Sequence, residues 1–218
     1  MNDQNSNFNQ AHILILGIGN LLWADEGFGV RLVNLLHQRY VFPWHVTLMD
    51  GGTQGMYLLP HIQIASHLLI LDAIDYGLDP GTLKIVKNAD VPQFMGVKKM
   101  SLHQTGFQEV LAAAVLTGKC PQHLALIGIQ PELLEDYGGS LTFTVKAQMD
   151  NAITACLHLL AEWGVIPEKR TLPLAESEGL TDPSLGLEAY ETQRPDAEYA
   201  CRWGDARVLN QIFPKTDA

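Results

Sequence analysis

Three short apolar runs, set among segments of helical period, constrain the fold of this chain more than any other feature. They are AHILILG at 11–17, HLLILDA at 67–73 and HLALIGI at 123–129. An apolar run without polar alternation reads as a strand covered on both faces, the signature of a central strand in a parallel sheet. HVTLMD at 45–50 is a further strand, stopped by Gly51-Gly52, and GTLKIVK at 81–87 alternates as an edge strand does. The intervening segments carry apolar residues at helical spacing. Val30, Leu32, Val33, Leu35 and Leu36 mark a helix over 25–40, and Met56, Leu58 and Leu59 a short one over 54–62. A stretch rich in Ala and Leu predicts a helix over 104–116. Val145, Met149, Ile153, Leu157 and Leu160 predict a long one over 144–163, closed by Gly164 and Pro167. The order β-α-β-α-β-(β)-α-β-α implies an α/β fold: a doubly wound three-layer sandwich, with a mostly parallel twisted sheet, helices on both faces and right-handed crossovers.

Composition narrows the partners. The chain has 218 residues, enough to bury a core without disulfides. Its 14 Lys and Arg against 24 Asp and Glu give a net charge of −10. That excess repels a phosphate backbone and anionic lipid alike, so no nucleic acid is expected as a partner. No apolar run approaches the roughly 18 residues of a membrane span, so no membrane insertion is expected. The opening MNDQNSNFNQ lacks the basic and apolar regions of a signal peptide. Cys120, Cys156 and Cys201 are widely spaced and form no CxxC pair, which fits free thiols in the cytoplasm and argues against a cysteine-based zinc site. Three regions follow: a flexible N-terminal arm (1–10), the α/β domain (11–167) and an acidic C-terminal extension (168–218). The extension holds ten acids, six bases and four prolines. It reads first as a solvated tail with a short helix near 203–213. Tyr190, Tyr199, Trp203 and Phe213 also give it the aromatic content of a partner-binding segment.

In open α/β sheets, ligands bind beyond the carboxyl ends of the strands. The first strand is followed there by Asp25 and Glu26, the second ends in Asp50, the third in Asp72 with Asp75 behind it, and His103 precedes the Ala-rich helix. An acid at the end of Leu-Leu-Ile-Leu is costly unless paired or functional, which singles out Asp72. Asp25 and Glu26 could instead serve a helix N-terminus, and Asp50 the Gly-Gly turn. Two carboxylates and an imidazole suit a divalent first-row metal with open positions, or acid/base work between crowded carboxylates. Gly17-Ile18-Gly19 begins a dinucleotide fingerprint, but Leu22 stands where its third glycine belongs. Acids at 25 and 26 would also oppose a pyrophosphate. Neither Ser101 nor Cys120 has the surroundings of a nucleophile.

Five blocks, GIGNLLWADEGFGVR, DGGTQGMYLL, LDAIDYG, SLHQTGFQEVL and LIGIQPE, occur here in the order and spacing of one family. The chain resembles the nickel-iron hydrogenase maturation endopeptidases over 12–165, and the LLWADEGFG form resembles the branch that serves membrane-bound uptake hydrogenases. The resemblance implies an α/β sandwich peptidase domain. It implies a hydrolase that removes a C-terminal peptide from the hydrogenase large-subunit precursor after nickel insertion. The family's metal-contacting positions fall on Glu26, Asp72 and His103, with Glu26 one methylene longer than the aspartate of some members. Asp50 matches a further acid that affects function. The resemblance makes nickel, supplied by the precursor, the metal; no tightly bound cofactor of the protein's own is expected, and a monomer is. Gly19, Gly27 and Gly29 would leave backbone room for the substrate tail, or simply make turns. Leu21, Leu22 and Trp23 would face the precursor or pack under their loop. A non-catalytic chaperone for the nickel-loaded subunit would use the same three ligands and leave the precursor uncut. A nucleotide module or an unselective protease of the same fold would need neither nickel nor the precursor.

Overall fold

The computed structural model describes residues 11–95 and 102–192, with the backbone alone for 93–95 and 102–105. The N-terminal arm, Ser101, Cys201, Tyr199, Trp203, Phe213 and the helix expected near 203–213 lie outside the described residues. The expected α/β sandwich is found. Strands β1 (Ile13–Ile18), β3 (Val46–Gly52), β4 (His67–Ala73), β5 (Leu83–Lys87) and β6 (His123–Ile129) form a five-stranded sheet. Its order is β3-β1-β4-β6-β5. All pairs are parallel except β5 with β6, so the 81–87 segment is an antiparallel edge strand. A pair of two-residue strands, β2 (Tyr40–Val41) and β7 (Glu168–Lys169), stands apart.

The apolar runs are buried on both faces for the reason their composition suggested. Along β1, Ile13 and Ile15 enter one core, with Phe28, Leu32, Leu36, Ile153, Cys156 and Leu160. Leu14, Leu16 and Ile18 enter the other, with Leu58, Ile62, Phe107, Val110 and Leu111. The first core lies under helices α1 (Phe28–Arg39) and α6 (Met149–Glu162). The second lies under α2 (Leu59–Ile64), α3 (Asp90–Met95) and α4 (Leu102–Leu116).

Three expected helices have different bounds. The segment expected to start α1 at 25 or 26 opens instead with a 3-10 turn over Ala24–Gly27. The 54–62 segment divides into a 3-10 turn, Gly55–Leu58, and α2. The expected helix over 144–163 divides into α5 (Phe143–Lys146) and α6. At the break the Gln148 N–H donates to the Val145 carbonyl at 3.0 Å, a three-residue step that tightens the chain and re-aims the axis.

The extension departs furthest from expectation. Residues 168–192 are not a solvated tail but lie along α1. The Arg170 and Leu174 N–H groups donate to the Arg39 and Gln38 carbonyls at 2.8 and 3.0 Å, and Leu180 N–H to Asn34 Oδ1 at 2.8 Å. Arg31 donates to the Leu185 carbonyl. The physical reason is a polar stripe on α1. Arg31, Asn34 and Gln38 recur at helical spacing and are each buried, as is Thr181 of the extension. The Arg31 and Asn34 side chains draw partners from the extension's backbone, and the Gln38 main-chain carbonyl accepts there as well. A short helix, α7 (Leu187–Thr192), ends this segment, and its Glu191 pairs with Lys146 and accepts from Ser140 Oγ at 2.6 Å.

Two residues fix the carboxyl end of the sheet. Gly29 lets α1 touch the central strands: a Cβ there would sit 2.0 Å from the Leu71 carbonyl oxygen and 2.4 Å from that of Ile18. Asp25 is fully buried and accepts from the Glu132 and Leu133 N–H groups at 2.9 Å and from the Thr142 N–H at 2.7 Å. Its third partner residue is held twice, since the Thr142 hydroxyl also donates to it at 3.1 Å. Gly29→Ala is expected to cost about 3 kcal/mol or more, because neither carbonyl can retreat without breaking a central strand. Asp25→Ala leaves three part-buried N–H groups without their shared acceptor and is expected to cost about 3 kcal/mol. Urea denaturation of both variants checks these values. An Asp25→Ala chain as stable as the parent would mean that the clamp contributes nothing.

Candidate active site

The ends of β1, β3 and β4 lie level with one another. Gly17 of β1 pairs with Asp50 of β3 on one side and with Leu71 of β4 on the other. Asp50 and Leu71 are therefore two strand spacings apart, about 9.6 Å, and Asp72 lies one residue further along. The 3-10 turn carrying Glu26 stands directly over this point. It precedes α1, whose Gly29 rests on the ends of β1 and β4, and its Glu26 N–H donates to the Trp23 carbonyl at 2.9 Å. Glu26 is partly exposed, whereas Asp72 is fully buried.

Alternation along the strands sends the acids to different faces. Leu68 and Ile70 enter the core beneath α2 and α4, so Asp72 points to that side. Val46 and Leu48 pack into the core beneath α1, so Asp50 points to the opposite side. His103 is in the first turn of α4, on Asp72's side, and its side chain lies outside the described residues. Gly106, three residues on, lies against Gly55 in the turn after β3: a Cβ on Gly106 would be 3.8 Å from the Gly55 Cα. The first turns of α4 are thus at the carboxyl end of the sheet. Among the described residues, no three His, Cys, Asp or Glu side chains form a group that could hold a metal ion.

Each acid has its own electrostatic surroundings. Burial pushes the Asp50 carboxyl above the usual range, while the Gly52 N–H and the Arg31 guanidinium pull it back. Near Asp72, burial and then the Asp72 charge push the Tyr76 hydroxyl far above the ordinary phenol range, so it stays protonated and able to donate. Tyr76 can sit there because residue 128, the register partner of Asp72, is glycine. A Cβ at 128 would lie 2.2 Å from the Tyr76 hydroxyl oxygen. Gln130, buried at the end of β6, accepts from the Tyr76 and Leu78 N–H groups at 2.7 and 3.1 Å and donates to Asp75 at 3.0 Å. Sequence reasoning passed over Gln130 and Tyr76. The one available signal was an amide in the strand-end position before Pro131.

The rim is made by two loops joined edge to edge. Trp23 and Tyr137 form an isolated antiparallel bridge, and their rings meet edge-to-face at 5.4 Å. Ala24, beside them, has φ +35°, and its N–H donates to the Gly139 carbonyl at 3.1 Å. Asp25 is therefore a structural clamp beneath the rim, and Glu26 is left as the carboxylate that can serve the site. Gly19 and Gly29 are needed for packing rather than for substrate room. A Cβ on Gly19 would lie 1.8 Å from the Glu26 carbonyl oxygen. The arrangement offers oxygen donors from Glu26 and Asp72 beside a phenol donor, at the sheet end where α/β folds bind ligands.

The comparisons with known proteins agree on one family. The hydrogenase maturation protease model matches residues 30–159. The chain is 57% identical over 199 residues to the hydrogenase expression/formation protein HoxM of Cupriavidus necator, covering 91% of this chain and 98% of that one. It is 45% identical over 154 residues to the hydrogenase 2 maturation protease of Escherichia coli, covering 70% and 93% respectively. Among solved structures, the E. coli hydrogenase maturating endopeptidase HybD superposes with a TM-score of 0.70 at 43% identity, over 73% of this chain and 98% of that one. The buried acid at a central strand end, the turn above it and these matches together make the chain a member of the hydrogenase maturation protease family, a hydrolase.

Proposed function

We propose that this protein removes a C-terminal peptide from the large-subunit precursor of a nickel-iron hydrogenase after nickel has been inserted. The observation that carries this reading is Asp72. It is a fully buried carboxylate at the carboxyl end of β4, beneath the turn of Glu26 and on the side where α4 carries His103 in its first turn. That place, at the carboxyl end of a central strand, is where open α/β sheets bind ligands.

In this reading nickel belongs to the substrate. Glu26, Asp72 and His103 supply two oxygens and one nitrogen to complete an open coordination sphere in the precursor, which makes cleavage conditional on nickel. The scissile carbonyl is polarised, water adds to its carbon, and the C–N bond breaks to leave a carboxylate on the large subunit and an amine on the released peptide. The Tyr76 hydroxyl, kept protonated by burial and by the Asp72 charge, lies on the same side of the sheet. Asp50, on the other face, acts on the approach to the site and not as a ligand. The protein works as a monomer in the cytoplasm. Among the described residues no helix is long and apolar enough to cross a membrane.

Intact mass spectrometry of a purified precursor, nickel-loaded or nickel-free, tests this. The expected result is loss of one C-terminal fragment from the loaded form alone. Asp72→Asn should fold and lose processing by about 1000-fold, as much as the loss of one preorganised oxyanion-hole donor costs other hydrolases at the upper end. Cleavage of both forms would keep the protease and discard the nickel requirement. A verified loaded precursor left intact would assign the three residues to a chaperone instead.

A further inference from the structure

The rim loop between β6 and α5 is held at its two ends by Asp25, through Glu132, Leu133 and Thr142. Its middle meets the turn after β1. The Gly138 N–H donates to the Leu22 carbonyl at 2.7 Å, Tyr137 bridges Trp23, and the Gly139 carbonyl accepts from the Ala24 N–H at 3.1 Å. The same stretch also meets the extension. Glu191 of α7 accepts from the Ser140 hydroxyl at 2.6 Å and pairs with Lys146 at the end of α5. α7 has its own footing on α1. The Arg31 guanidinium, in a residue 5% exposed, donates to the Leu185 carbonyl and lies 5.4 Å from the centre of the Tyr190 ring, next to Glu191 in the chain. The Glu188 N–H donates to Glu176 Oε1 at 3.1 Å. A chain of direct contacts thus runs from a buried cation on α1, through α7, to the middle of the rim loop.

We propose that Glu191 is a positioning residue: it braces the rim loop against α1, and the braced loop is where the C-terminal tail of the precursor is taken up. Residues 168–192 then belong to the working site, and they act on capture of the tail rather than on cleavage. One carboxylate suits the task because its two donors come from the loop and from the helix that follows it, so it fixes one relative to the other. The loop is also the right thing to brace. Leu22, Leu133 and Tyr137, on the two joined loops, are 38, 43 and 52% exposed. Trp23, the bridge partner of Tyr137, stands three residues before Glu26, so this apolar rim is continuous with the site. A tail is held there at lower cost if the loops are already in one arrangement. The fold does not demand the extension. A match of 154 residues makes up 93% of the E. coli protease, which has room for a domain like 11–167 but not for 168–192 as well. The 199-residue match to the C. necator protein exceeds the 167 residues before the extension, and so reaches into it. The proposal rests on the processing reading for what the loop takes up; the bracing itself does not.

The test has two readouts on the full-length chain. The first is amide hydrogen exchange at Ala24 and Gly138, whose N–H groups join the two loops. In Glu191→Ala their exchange is expected to quicken about fivefold, with that of β1 and β4 unchanged. Glu191→Lys and Lys146→Glu should each do the same, and the double variant, which exchanges the two charges, should restore most of the protection. The second readout is processing of the nickel-loaded precursor. Glu191→Ala should raise KM about fivefold and leave kcat within about twofold, a split that a general loss of folded protein would not produce. Parental exchange in a folded Glu191→Ala chain overturns the bracing, and Ser140→Ala decides the matter if Glu191→Ala does not fold. Quickened exchange with an unchanged KM overturns the link to capture of the tail. If the parent chain leaves the loaded precursor intact, the processing reading is at fault, and the exchange data still decide the bracing.

Discussion

The Asp25 carboxylate holds the carboxyl end of this protein together. Both of its oxygens are used, and every partner comes from the segment after β6: Glu132, Leu133 and Thr142. Loops at the carboxyl ends of parallel strands have no ladder to hold them, and their backbone groups must find other partners. One buried acid satisfies three of those N–H groups at once. It thereby fixes the turn that displays Glu26, allows Trp23 to bridge Tyr137, and holds Thr142, whose hydroxyl caps α5 by accepting from the Val145 N–H at 3.3 Å. The neighbouring acids divide the work. Asp25 looks inward and builds the rim, which leaves Glu26 on the turn above the ends of β1 and β4.

A second polar arrangement supports the first from the flank. Had α1 carried Leu at 31, 34 and 38, the extension could have covered it by apolar burial alone. It carries Arg, Asn and Gln instead; the Arg31 and Asn34 side chains make directional hydrogen bonds to the extension's main chain, and the Gln38 and Arg39 main-chain carbonyls accept from it. Interfaces of that kind fix register and orientation, because each buried donor or acceptor has a definite partner. The extension then joins the rim through Glu191, Ser140 and Lys146, so that α1, α5 and the loop after β6 are tied by one segment.

The strands were legible in the sequence because burial on both faces leaves no polar alternation to confuse them, and the acid ending HLLILDA was legible because charge is costly in such company. The helix bounds were less so. Periodicity marks the face of a helix but not a 3-10 turn at its start, nor a three-residue step such as the one at Gln148. The role of Asp25 was hidden because its partners lie more than a hundred residues away and are backbone groups, which leave no trace in composition. The docked extension was hidden for the opposite reason: its partner residues on α1 are polar, and a polar helix face reads as a solvated one. Gln130 combined both difficulties, being an amide just past a strand end that organises the backbone of another loop.

The two faces of the sheet explain why the site's acids need not be equivalent. A parallel strand order that reverses beside β1 opens a crevice between β1 and β4, with one helix layer on each side. Asp72 ends the strand on one side of that crevice and turns toward the α4 layer; Asp50 ends the neighbouring strand beyond β1 and turns toward the α1 layer. Two like charges on one face at this spacing would repel, and one of them would tend to take up a proton. Set on opposite faces, they have different surroundings: Asp72 near a phenol that stays protonated, Asp50 pushed up by burial and pulled back chiefly by the Gly52 N–H of its own turn.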